Sequence, residues 1–179
     1  MLSMMYDFEC RLFRYVNKGF HIKPLNLYFR LVTHLGSAFF TIFTSLCLLL
    51  FMPEQHKNVA IYSAGALVIS HLPVAIIKKW YPRKRPYLVL ENTSVTSNPL
   101  KDYSFPSGHT TACFSIIVPI ILSFPTTALV LIPLAVSVAM SRIVLGLHYP
   151  SDVAAGIILG SATALLLMNA APNLLGTMI

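Results

Sequence analysis

The sequence predicts an all-α fold: an integral membrane helical bundle of about five transmembrane helices plus an N-terminal interfacial amphipathic helix. Three observations predict it. Only 11% of the 179 residues are charged while 56% are hydrophobic, far from the roughly 25% charged residues of a soluble domain. The apolar residues gather into uncharged runs long enough to cross a hydrocarbon core about 30 Å thick at about 1.5 Å per residue. The cations that give a net charge of +7 cluster beside those runs instead of spreading over a solvated face. Such clusters fit membrane lipids or an anionic substrate as partners, and no nucleic acid. Cys10, Cys47 and Cys113 stand far apart, two of them inside apolar runs, which fits small buried residues better than a disulfide framework or a zinc site.

Residues 1–179 read as one membrane-embedded domain. Residues 4–20 mix Phe8, Leu12, Phe13, Val16 and Phe20 with Asp7, Glu9, Arg11, Arg14 and Lys18. That charge density rules out a span and favours a helix lying in the interface. The first span is expected at about 28–52, the second at 58–80 after the polar turn "PEQHKN". Residues 81–104, with Pro82, Pro86 and Pro99 among Ser, Thr and Asn, read as a loop. The apolar run that follows is too long for one helix and is interrupted by "SFPTT", so spans at 107–124 and 126–146 are expected. The fifth, 151–170, carries Gly156 and Gly160 four residues apart, a small-residue face suited to close helix contact.

Alternation of five spans has a geometric consequence. The end of span two, the start of three, the end of four and the start of five share one face of the membrane. The polar residues of interest stand there: Lys78 to Arg85, Ser107 and His109, Arg142, His148 and Asp152.

"KKWYPRKRP" places five basic residues within eight positions. Lys79, Arg83 and Lys84 read as a juxtamembrane cluster that snorkels or attracts anionic lipid. Lys78 and Arg85 can instead converge on one pocket, since Pro86 holds Arg85 outside helical conformation. A guanidinium grips two phosphate oxygens and an ammonium adds a point charge. In "PSGH", Ser107 is an expected N-cap and Gly108 lets an anion approach the free amides of a helix start. In "SRIVLGLHYPSD", Arg142 ends span four and Asp152 can accept a hydrogen bond from His148, leaving the other ring nitrogen to face a substrate. Two histidines among cations and helix-start amides suit in-line phosphoryl transfer, one histidine attacking and the other protonating the leaving oxygen. The surrounding cations repel a divalent ion and no His-Glu-x-x-His pattern exists, so neither a metal nor another cofactor is expected.

Lys78-x6-Arg85-Pro86, Pro106-Ser107-Gly108-His109 and Ser141-Arg142-x5-His148-x3-Asp152 together resemble the three-part signature of the type-2 phosphatidic acid phosphatases. The resemblance implies a metal-independent membrane enzyme that hydrolyses a lipid phosphate or pyrophosphate. It implies that His148 is the nucleophile forming a phosphohistidine, that Asp152 orients it and that His109 is the general acid. Lys78, Arg85, Ser107, Gly108 and Arg142 then bind the phosphate. Undecaprenyl pyrophosphate, phosphatidylglycerophosphate and phosphatidate all remain open as substrates, and the oligomeric state is unknown. Two other readings are a vanadate-dependent haloperoxidase-like enzyme and a lipid-phosphate-binding protein without catalysis.

Two indications of orientation conflict. Of 13 Lys and Arg, all but Lys57 fall on the active face, which by the positive-inside rule is cytoplasmic. The family resemblance implies the extracytoplasmic face of a bacterial plasma membrane, and that placement is preferred. His71 and His34 read as packing histidines, and Trp80 and Tyr81 as part of an aromatic belt.

Overall fold

The computed structural model describes residues 2–170, all of its regular structure helical, with no strand among the described residues. Residues 171–179 lie outside the described residues. Helix α1 (Leu2–Asn17) turns Cys10, Phe13 and Asn17, spaced at three and four, onto α7 and α8. Met4, Met5, Phe8 and Tyr15 remain exposed on its other side, as a helix lying in an interface requires.

The first expected span is not one continuous helix. It is α2 (Lys23–Val32), a 3-10 turn at Thr33–Gly36 and α3 (Ala38–Phe51), bent by 53°. The break has a local cause and a packing cause. Ser37 is extended (φ −71, ψ 153) and its hydroxyl accepts the Phe40 amide at 3.4 Å, starting a new helix. A Cβ on Gly36 would stand 2.8 Å from Val138 Cγ1 and 3.0 Å from His109 Cβ, so glycine lets the turn lie against two later helices.

The remaining helices are α4 (Lys57–Trp80), the short α5 (Pro86–Val89), α6 (Gly108–Ser123), α7 (Ala128–Val144) and α8 (Pro150–Ala170). With the turns that lead into them, Glu54–Trp80, Pro125–Val144 and Pro150–Ala170 are each long and apolar enough to span a membrane, and the bent pair counts as a fourth. Large apolar side chains on their outer faces, such as Phe39, Phe51, Val68, Leu129 and Ile158, point away from the protein, as lipid-facing residues do. Helix α6 is the fifth apolar helix but has 16 residues, fewer than the about 20 needed to cross. Protein surrounds it: α3, α4, α7 and α8 all pack on it, so its length need not match the bilayer.

Helix α6 meets α8 at the two glycines. A Cβ on Gly156 would be 2.8 Å from the Ser107 carbonyl oxygen, and one on Gly160 would collide with the carbonyl of Thr111 and stand 3.0 Å from the Ser115 amide. Close backbone approach of this kind is what small residues permit between membrane helices. It also seats the start of α6 beside the start of α8, where the Ser107 amide donates to the Asp152 carbonyl at 3.0 Å. The ends of α4 and α7 arrive at the same place.

Candidate active site

The turn after α7 places His148. Gly146 takes φ +75, and the Ser94 carbonyl occupies the position a Cβ would need. The amides of Leu147 and His148 then both donate to the Arg142 carbonyl at 3.0 Å, which folds the chain back onto the start of α8. His148 is 1% exposed. Its Nε2 lies 3.1 Å from Nη1 of Arg85, which is equally buried. A guanidinium can only donate, so Nε2 accepts and the ring proton sits on Nδ1. Nδ1 in turn lies 3.5 Å from Asp152 Oδ2, closer to ion-pair than to hydrogen-bond range, and has no hydrogen-bond partner among the described residues. Burial pushes the imidazole down to about 4, opposed by the Asp152 carboxylate and helped by the charges of Arg142 and Arg85.

Asp152 is fully buried and held by other donors than the histidine. Oδ2 accepts from the Tyr149 amide at 2.8 Å and from the Ser104 hydroxyl. Oδ1 accepts from Arg83 Nη1 at 2.7 Å, and Arg83 Nη2 continues to Glu9 Oε2 at 2.6 Å. Glu9 Oε1 also takes the Ser151 amide at 2.9 Å. Thus α1 reaches the site through a Glu9–Arg83–Asp152 chain. Arg83 does not behave as the free juxtamembrane cation expected from the sequence, because its guanidinium also covers the Tyr149 ring at 3.9 Å.

Arg142 is 2% exposed and shows the opposite pattern. Nη1 donates to Thr33 Oγ1 at 2.6 Å, while Nε and Nη2 have no hydrogen-bond partner among the described residues. A buried guanidinium with two unused donors is costly unless an anion completes it. The start of α6 adds further donors. Ser107 occupies the N-cap position but makes no cap bond; its hydroxyl pairs with Thr110 Oγ1 at 2.9 Å instead. The first-turn amides of α6 consequently lack an intrahelical partner. A Cβ on Gly108 would meet nothing within 4 Å, so there is open space beside this first residue of the helix. His109 follows, its backbone against Gly36 and its ring without a hydrogen bond among the described residues.

Asp102 completes the arrangement. Its carboxylate takes Lys78 Nζ on one oxygen and Arg85 Nη2 on the other at 2.6 Å, and its carbonyl takes Arg85 Nε at 2.8 Å. Partial burial works to raise its pKa, but Lys78 and Arg85 outweigh this and hold it down at about 2.

The structure therefore draws Lys78, Arg85, Ser107, Arg142, His148 and Asp152 to one end of the bundle, through the contacts given above, with Gly108 and His109 on the first turn of α6. Sequence reasoning missed Glu9, Thr33, Arg83, Asp102 and Ser104. Asp102 and Ser104 stand just before "FPSGH", a position that flags them, but nothing in the sequence pairs Thr33 with Arg142. His71 Nδ1 bonds the Leu67 carbonyl at 2.8 Å within its own helix, and His34 is exposed. The three cysteines are free. The arrangement offers a nucleophilic nitrogen and unclaimed donors to a tetrahedral oxyanion, with a second histidine nearby on α6.

The family model of the PAP2 superfamily matches residues 59–175. The chain is 36% identical over 120 residues to the bacitracin transport permease protein BcrC of Bacillus licheniformis, covering 67% of the chain but only 59% of that protein. It is 30% identical over 155 residues to the undecaprenyl-diphosphatase of Sulfolobus acidocaldarius, covering 86% of the chain and 74% of that protein. The crystal structure of a transmembrane PAP2-type phosphatidylglycerolphosphate phosphatase from Bacillus subtilis shares the fold, with a TM-score of 0.78 at 20% identity over 95% of this chain and 87% of that one.

Proposed function

Because this chain belongs to the PAP2 superfamily, we propose that it is a membrane lipid phosphatase that hydrolyses a terminal phosphate or diphosphate through a phosphohistidine at His148. The observation that carries this reading is Arg142: a fully enclosed guanidinium with two idle donors, beside a histidine whose Nε2 lone pair is already exposed to a cation. The substrate's phosphoryl oxygens take the idle Arg142 donors, the first-turn amides of α6 from Gly108 onward, and the Lys78 and Arg85 cations. Arg85 Nη1 moves from the His148 lone pair to a phosphate oxygen. Nε2 then forms a bond to phosphorus as the bond to the leaving oxygen breaks, and His109 supplies the proton to that oxygen. His109 next removes a proton from water, whose attack on phosphorus releases phosphate and regenerates His148. Asp152 stabilises the charged ring throughout, and Arg83, Ser104 and Glu9 hold Asp152 in place as positioning residues.

The leaving group is lipidic in this reading. A cavity of about 270 Å³ lined by Ile77, Phe105, Pro106, Ile158, Leu159 and Ala162 opens between α4 and α8 beside the start of α6. Such a side opening suits an acyl or isoprenoid chain entering from the bilayer. Among the three open substrates, undecaprenyl pyrophosphate is favoured by the relative named for that activity, which the chain follows over most of its length. Purified protein is expected to release phosphate fastest from undecaprenyl pyrophosphate in a panel with phosphatidylglycerophosphate and phosphatidate, with a chelator making no difference. Loss of activity to the chelator, or no turnover of any of the three, would overturn the proposal.

The site is proposed to open on the extracytoplasmic face of a bacterial plasma membrane. With Arg83 now among the site residues, Lys78, Arg83, Arg85 and Arg142 are accounted for by chemistry, which weakens the charge bias against that orientation. A cysteine at the exposed Ser97 is expected to react with a membrane-impermeant maleimide in intact cells. Labelling only after permeabilisation would place the site in the cytoplasm.

A further inference from the structure

We infer that the Asp102 carboxylate is an internal anion that occupies the phosphate-binding cations of the free protein and must be displaced by substrate. The inference rests on the phosphatase reading above. Asp102 takes Lys78 with one oxygen and Arg85 with the other, as a phosphate would. By holding Arg85, it also keeps Nη1 on the Nε2 lone pair of His148, at 3.1 Å, so both the cations and the nucleophile are occupied at rest. It does not reach Arg142, whose Nε and Nη2 stay idle. The Asp102 side chain is 53% exposed and sits in a stretch without regular structure, between the tether of Leu100 to Tyr87 and that of Ser104 to Arg83. Rotation of the side chain alone frees both oxygens while the Asp102 carbonyl keeps Arg85 Nε at 2.8 Å.

The consequence is a threshold on binding. A carboxylate that must leave first lowers the affinity of every anion by the same factor, the fraction of protein in which it has already left. A terminal phosphate dianion, reaching Lys78, Arg85 and Arg142 together, stays above the threshold. The monoanionic phosphodiester of an ordinary phospholipid, present in great excess at the same depth of the membrane, falls below it. Asp102 thereby keeps bilayer headgroups from filling the site without contributing to the chemical step.

The test is calorimetric titration of the full chain in detergent micelles with inorganic phosphate. The Asp102→Asn variant retains a side chain that accepts hydrogen bonds from Arg85 and is expected to bind phosphate about tenfold more tightly than wild type. Asp102→Glu, which keeps the carboxylate, is expected to stay near wild type. Adding phosphatidylglycerol to the micelles is expected to weaken phosphate binding to Asp102→Asn and leave wild type unchanged. Equal or weaker binding by Asp102→Asn would overturn the inference and assign Asp102 to orienting Lys78 and Arg85, leaving the phosphatase reading intact. Absence of phosphate binding in wild type and variant alike would overturn both.

Discussion

Replacing His148 by alanine is expected to lower turnover by about 10⁴-fold or more, the scale seen when a covalent nucleophile is removed. The loss should be confined to chemistry, because the backbone of His148, not its ring, makes the bond that folds the turn after α7. Lipid phosphate should still bind, since Arg142 and the start of α6 do not depend on the ring. The same site predicts an unusual acid limb. Protonation of Nε2 removes the nucleophile, and burial pushes this imidazole down to about 4. Activity governed by His148 should therefore fall as pH drops through about 4, well below the ordinary histidine range near 6.5. Measuring kcat/KM from pH 3 to 8 checks this; a loss centred near 6.5 would mean that His148 is not the group being titrated.

Arg142→Ala is the second large effect. Removing a preorganised donor from an oxyanion site costs about 10²–10³ in rate, and Arg142 holds two such donors. A decrease of at least that size in kcat/KM is expected, with no recovery in Arg142→Lys, whose single ammonium cannot present two coplanar N–H groups. Stability should move the other way. In the free protein the guanidinium is 2% exposed with one bond, to Thr33, and two donors idle, so its burial opposes folding. Thermal unfolding of Arg142→Ala in detergent is expected at or above the wild-type midpoint. A variant that loses activity and melts much lower would show Arg142 to be a structural residue instead.

Much of this was legible in the sequence, for physical reasons that differ from part to part. Membrane helices announce themselves by uncharged runs, because lipid tolerates no unpaired backbone and few charges. Alternation then assigns the ends of helices to faces, which is why residues as distant as Lys78 and Asp152 could be grouped in advance. The break at Gly36–Ser37 was not legible, because hydropathy runs through it without a pause. The Ser37 cap is a common local signal that does not mark a bend by itself, and the close approach of Val138 and His109 to Gly36 is a tertiary fact. Ser107 shows the limit of capping rules: the hydroxyl had a competing partner in Thr110 one turn on, and took it. Arg83 and Asp102 mark a third limit. In a run of five cations, spacing alone does not say which one meets a carboxylate, and Asp102 lies in a loop whose path no periodicity fixes.

A covalent bond between phosphorus and His148 can be trapped directly. In His109→Ala, an activated aryl phosphate still phosphorylates His148, since its leaving group needs no proton, but the activation of water is lost. Phosphoenzyme should accumulate. Incubating that variant with radiolabelled aryl phosphate, quenching in alkali and mapping the modified peptide is expected to find the label on residue 148 and nowhere else. Label on another residue, or an unlabelled protein that nonetheless releases phosphate, would exclude His148 as the nucleophile.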